Sequence, residues 1–172
     1  MGGTIVFLSI RVLHVLLAAA WLGATVFVSL LLMPALNAAG PSGGQIMIGL
    51  NKRIVPFFAS LSGLTVLTGI YLYWRFTGGF DPAISRSHAG MAFGVGGVAG
   101  FLAAIIGGSV VGRSSKRVVD IMQAVATLGD GAQKAAMLQE ADSLKQRMTT
   151  FGAVVLVLQI VATALMALGH YI

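Results

Sequence analysis

Four long stretches of this chain are almost free of charge, and they restrict the possible folds more than any other feature. They cover residues 4–36, 54–76, 88–111 and 149–171. A helix crosses the apolar layer of a bilayer with about 20 mostly apolar residues, so each stretch is long enough to span. Period-2 alternation is absent, which argues against a membrane β-barrel. The expected fold is all-α: an integral membrane four-helix bundle forming a single domain over residues 1–172. The first stretch is long for one span. Its roughly 33 residues would reach ~50 Å at ~1.5 Å per residue, so it must tilt or protrude.

Composition supports this class. Hydrophobic residues make up 57% of the chain and charged residues 9%, against about 25% charged in soluble domains. The mean hydropathy of +0.92 also excludes a disordered chain, which needs low hydrophobicity and high charge. The formal charge of +6 does not point to nucleic acid, because the basic residues flank apolar runs. No cysteine is present, which excludes disulfides, thiolate metal sites and iron–sulfur clusters. The N-terminus lacks the basic lead and short apolar core of a signal peptide, so it reads as a retained helix.

Charge also predicts orientation. Lys52 and Arg53 follow the first span, and Arg113, Lys116, Arg117, Lys134, Lys145 and Arg147 follow the third. In a four-span topology these eight basic residues share one side, which the positive-inside rule makes cytosolic. Both termini then lie outside, in the periplasm if the membrane is a bacterial inner membrane. Residues 112–148 are the only sizeable polar segment. Val118, Ile121, Met122 and Val125, then Met137, Leu138 and Leu144, recur at helical spacing, with a break at Gly129-Asp130-Gly131. A cytosolic helical hairpin extending the third and fourth spans is expected.

The chain has three histidines, His14, His88 and His170, and all fall toward the outer side. Arg11, Tyr71, Tyr73, Trp74, Arg75, Arg86 and Tyr171 lie at the same end. His14 is the most informative, since an ionisable group inside a span is costly and by default functional. Arg11, His14, Ala18, Trp21 and Thr25 share one helix face. Ala18 leaves room for a flat macrocycle, Trp21 can pack on its edge, and Arg11, Arg75 and Arg86 can meet its propionates. A histidine hydrogen-bonded inside the bundle is the competing reading. The third span carries two GxxxG pairs, Gly90/Gly94 and Gly96/Gly100, which suit helix packing, a haem plane against backbone, or a homodimer.

These residues suit a haem site with His14 and His88 as first and second ligand candidates, His170 as the third, and Met91 as a thioether candidate. Copper competes for the same imidazoles, although Met-x-x-Met and His-x-His clusters are absent. The spans contain no acidic residues, so paired-carboxylate chemistry is not expected. No Gly-Lys phosphate loop occurs.

The segment Leu13-His14 through Trp21-Leu22-Gly23 resembles the first helix of CopD/HemJ-like membrane proteins, which include the copper-resistance D domain and the HemJ-type protoporphyrinogen oxidase. Leu32-Met33-Pro34-Ala35-Leu36 resembles the HemJ segment Leu-Pro-Arg-Leu. Leu50 to Pro56 with Gly69-Ile70-Tyr71-Leu72 resembles its second helix. The likeness covers roughly residues 11–95. It implies that His14 ligates haem b, and it sets His88 close to a functionally important family lysine. Ala35 stands where the family has arginine, and Asn37-Ala38 replaces the Tyr-His that follows. The expected role is membrane redox chemistry, either electron transfer with quinone or a periplasmic partner, or a small-molecule oxidoreductase reaction. A copper-binding or copper-transport protein is the second expectation, and a cofactor-free accessory protein the third.

Overall fold

The computed structural model describes residues 2–169, 171 and 172, and the described residues contain helix and no strand. The helices are α1 (Gly2–Phe27), α2 (Met33–Ala38), α3 (Gly40–Phe76), α4 (Pro82–Ser85), α5 (His88–Ile106), α6 (Arg113–Val125) and α7 (Ala132–Leu168). Two π-helical segments, Val28–Leu32 and Gly107–Gly112, join α1 to α2 and α5 to α6 without interrupting the rods. Four rods, Gly3–Ala38, Ser42–Phe76, His88–Val125 and Ala132–Leu168, are long and apolar enough to cross a membrane.

The π segments have local causes. Pro34 has no N–H to offer and its ring crowds the preceding turn. The chain widens just before it, with the Met33 N–H bonding five residues back to the Val28 carbonyl. In the second segment, Gly107 and Gly108 loosen the backbone, and the Ser109 hydroxyl donates to the Ile105 carbonyl at 2.6 Å. Such side-chain competition is a common origin of helix distortion.

The second rod starts earlier than its apolar stretch. Helix α3 begins at Gly40, so Lys52 and Arg53 lie within a helix and not in a loop. The link from α2 is a tight reversal at Ala39 and Gly40. Gly40 takes φ +59°, the left-handed value that ends helices cheaply only at glycine. At the other end of α3, Asp81 caps the short α4 by accepting from the Ala83 N–H, and Ser87 caps α5 by accepting from the Gly90 N–H.

Each rod packs against its neighbours in sequence, and α7 closes back on α1, giving an up-and-down ring. The seam between α5 and α7 is the most extensive. Small residues make it close: a Cβ on Gly96 would lie 3.2 Å from the Ala162 carbonyl oxygen, and one on Gly100 would lie 3.9 Å from the Ala162 Cβ. Lipid tails are as apolar as leucine, so close van der Waals approach drives helix pairing in a bilayer. Gly96→Val is expected to wedge this seam apart and cost about 1–3 kcal/mol. A denaturation midpoint in detergent equal to that of the unsubstituted protein would show that the seam does not form.

The centre of the ring is a small core of Trp21, Ala103 and Val155, bordered by Phe58, Leu61, Ala104, Ile106 and Leu158. Most large apolar side chains face outward instead, including Leu16, Leu67, Val98 and Val157. In water this would be a large sticky surface; against lipid it is the ordinary exterior of a spanning bundle.

Past the second π segment, α6 continues the third rod and packs on the first half of α7. Residues 126–131 turn between them. Arg117 bonds Glu140 across the pair at 2.9 Å, while Lys134 and Lys145 pair locally with Asp130 and Asp142. The proton of the Lys134 ammonium bonded to Asp130 holds that carboxyl below its usual range. These exposed pairs add little stability. A buried bond ties α6 to α3: the Ser115 hydroxyl donates to Asn51 Oδ1 at 2.6 Å. Ser115→Ala is expected to cost about 1 kcal/mol, read as a lower midpoint, and no change would show that this bond is not made.

Candidate functional site

The polar side chains buried at the depth of the spans are few: His14 and Thr25 on α1, Thr65 on α3 and Gln159 on α7. Thr25 and Thr65 turn their hydroxyls onto their own helices, donating to the Trp21 and Leu61 carbonyls at 2.9 and 2.7 Å. That leaves His14 and Gln159 as the polar groups not absorbed by their own helix.

His14 bridges α1 to α3. Its Nδ1 lies 3.0 Å from the Thr65 carbonyl oxygen and 3.0 Å from Thr68 Oγ1. The carbonyl can only accept. The Thr68 hydroxyl spends its proton on the Leu64 carbonyl at 2.7 Å, so toward His14 it accepts as well. Nδ1 therefore carries the proton and donates to both. In the neutral ring this leaves Nε2 with its lone pair, and Nε2 makes no hydrogen bond among the described residues. A backbone carbonyl fixing one imidazole nitrogen is the usual way a protein orients the other as a ligand.

Gly69 makes the placement possible. A Cβ there would lie 3.0 Å from His14 Cε1, so glycine lets the ring rest on α3 without being displaced. His14 is 9% exposed as a result.

Gln159 is 3% exposed, and neither its Nε2 nor its Oε1 has a hydrogen-bond partner in the described protein. Gln159 stands one turn from Val155 toward the C-terminal end of α7, and His14 stands two turns from Trp21 toward the N-terminal end of α1. Trp21 and Val155 share the core, so both polar groups lie on the same side of it. A buried carboxamide without partners is rare and points to a water or bound group. Sequence reasoning missed Gln159, although it is the one glutamine in the 149–171 stretch. Gly69, the cradle for His14, was also unmarked as a site residue, because its role depends on which face of α3 meets α1.

The other candidates are dispersed. His88 is exposed at the first turn of α5 and borders an apolar groove of about 480 Å³ with Met91, Ala92, Val95, Leu165 and Ile172. Helices α1 and α5 are not neighbours in the ring, so His14 and His88 are not brought together. Met91 is one turn from His88 on the same helix, and both border the groove. Trp21 belongs to the central core. Arg11, Arg75 and Arg86 are exposed on α1, on α3 and beside α4. His170 lies outside the described residues. Among the described residues, no three His, Cys, Asp or Glu side chains group as a metal site.

No protein-family model matches the chain, and no curated protein or solved structure matches it at a significant level.

Proposed function

We propose that this chain is a haem b-binding integral membrane protein acting in membrane redox chemistry. The observation that carries the reading is the state of His14: buried at span depth, with Nδ1–H fixed by the Thr65 carbonyl and Nε2 without a partner among the described residues. One imidazole fixed at Nδ1, with Nε2 left unbonded among the described residues, fits single-histidine haem ligation. Bound haem supplies one-electron chemistry, with the potential set by ligand, burial and hydrogen bonding. The role of this chain is to hold the imidazole, keep its tautomer and exclude water. Thr65, Thr68 and Gly69 perform the first two tasks, and the apolar bundle performs the third. Exposed Arg11, Arg75 and Arg86 are the candidate propionate partners, and quinone or a periplasmic protein is the candidate redox partner.

The resemblance to CopD/HemJ-like proteins supports the same role for His14. The excess of basic residues at the π-segment end supports a bacterial inner membrane location with both termini in the periplasm and the α6–α7 hairpin in the cytosol.

One observation favours a second reading. The His14 ring is pressed on Gly69 and bonded to α3, which is also how a histidine that simply clamps two helices would sit. A visible spectrum of the purified protein separates the two. Haem at near one per chain supports the redox reading, and a colourless protein after expression with ample haem supports the clamp. Metal content of that colourless sample would show whether copper takes the imidazole instead.

A further inference from the structure

At the end of the bundle remote from His14, a cavity of about 320 Å³ opens where the second π segment, α6 and α7 meet. Three arginines line it: Arg113 and Arg117 from α6, and Arg147 from α7. Ser109 and Ser114 add hydroxyls, and Val110 and Leu144 form apolar walls.

The hydrogen-bond inventory of this cavity is one-sided. Arginine only donates. Arg117 is partly satisfied, since Glu140 accepts from its Nε at 2.9 Å and from its Nη2 at 3.4 Å. Arg147 lies 5.8 Å from the Phe151 ring centroid and has no carboxylate partner among the described residues. Arg113 has no carboxylate partner among the described residues. Ser109 spends its proton on the Ile105 carbonyl. Ser114 adds a further donor: its residue is 5% exposed, it lines the cavity, and its hydroxyl makes no hydrogen bond among the described residues, whereas that of neighbouring Ser115 is taken by Asn51. Exposed Arg113 and Arg147, together with Ser114, set donors around one cavity that suit an acceptor-only anion, and guanidinium groups suit phosphate oxygens best.

We propose that this cavity binds a phosphate-bearing anion, and that its source is the phosphodiester head group of an anionic phospholipid. The site lies where the apolar run of α5 ends and the polar hairpin begins. Its Val110 and Leu144 walls lie beside its donors, as an amphiphile requires. Basic pockets between membrane helices at this level are suited to anionic lipid head groups. The inference does not depend on haem.

The test is lipid retention by the full-length protein in mild detergent, measured by native mass spectrometry with added phosphatidylglycerol or phosphatidylcholine. Preferential retention of phosphatidylglycerol is expected. The double variant Arg113→Gln/Arg147→Gln should weaken it on the order of 30-fold, while Lys52→Gln/Arg53→Gln, which removes the same charge elsewhere, should not. Glu140→Gln frees Arg117 and should strengthen retention. Equal retention of the two lipids, or equal loss in both double variants, would overturn the site. Displacement of phosphatidylglycerol by millimolar inorganic phosphate would overturn the lipid as source and assign the cavity to a soluble phosphate.

Discussion

If the chain binds haem as proposed, His14→Ala is expected to abolish haem retention: the purified variant should lack the Soret band, while His88→Ala should keep it. The difference follows from how the two imidazoles are held. His88 is exposed on the first turn of α5, and its ring makes no hydrogen bond among the described residues. His14 is held by two acceptors on α3 that determine its tautomer. The substitution also deletes those bonds, each worth about 1 kcal/mol, so some loss of stability is expected alongside. Two further variants separate ligation from folding. Thr68→Val removes one acceptor and keeps the ligand; haem affinity should fall roughly 10-fold, as for other supporting partners of metal-bound histidines. Gly69→Leu fills the cradle under the ring and should lower haem content more than it lowers the denaturation midpoint. If His14→Ala retains full haem, His14 is not the ligand.

The second large effect is expected at Trp21, and it should fall on stability. Trp21 touches the core formed with Ala103 and Val155 and is 5% exposed. In water, truncating a buried tryptophan costs about 3–5 kcal/mol. In a bilayer the unfolded reference gains nothing from hiding apolar surface from lipid. The remaining cost is the cavity and the lost contacts, about 2–3 kcal/mol. Trp21→Ala should therefore show a markedly lower midpoint in detergent while the surviving folded fraction keeps its haem per chain. Trp21→Phe should recover part of the loss. Haem loss without destabilisation would place Trp21 against the cofactor instead of in the core.

These two residues show what the sequence could convey. The four apolar stretches were legible because span length and charge exclusion are properties of one strand of sequence, independent of neighbours. His14 and Trp21 were legible as special for the same reason: each is a costly or bulky type at a fixed helical spacing. What the two residues touch was not legible. Partner choice depends on the order of helices around the ring, which puts α3, not α5, against His14. The early start of α3 was hidden because polar residues such as Gln45 and Asn51 break the hydrophobic signal without breaking the helix. The glycine pairs of α5 were ambiguous among packing, haem contact and dimerisation; Gly96 and Gly100 face α7 within the chain. Gln159 was overlooked because a lone glutamine becomes informative only once it is buried and its partners can be counted.

The most direct test of the central claim is a reduced-minus-oxidised visible spectrum of the protein purified in mild detergent, with a pyridine haemochrome count per chain. A sharp α-band with close to one haem per chain is the predicted result. A colourless protein after expression with ample haem supply would contradict it, and His14 would then be a clamp between α1 and α3.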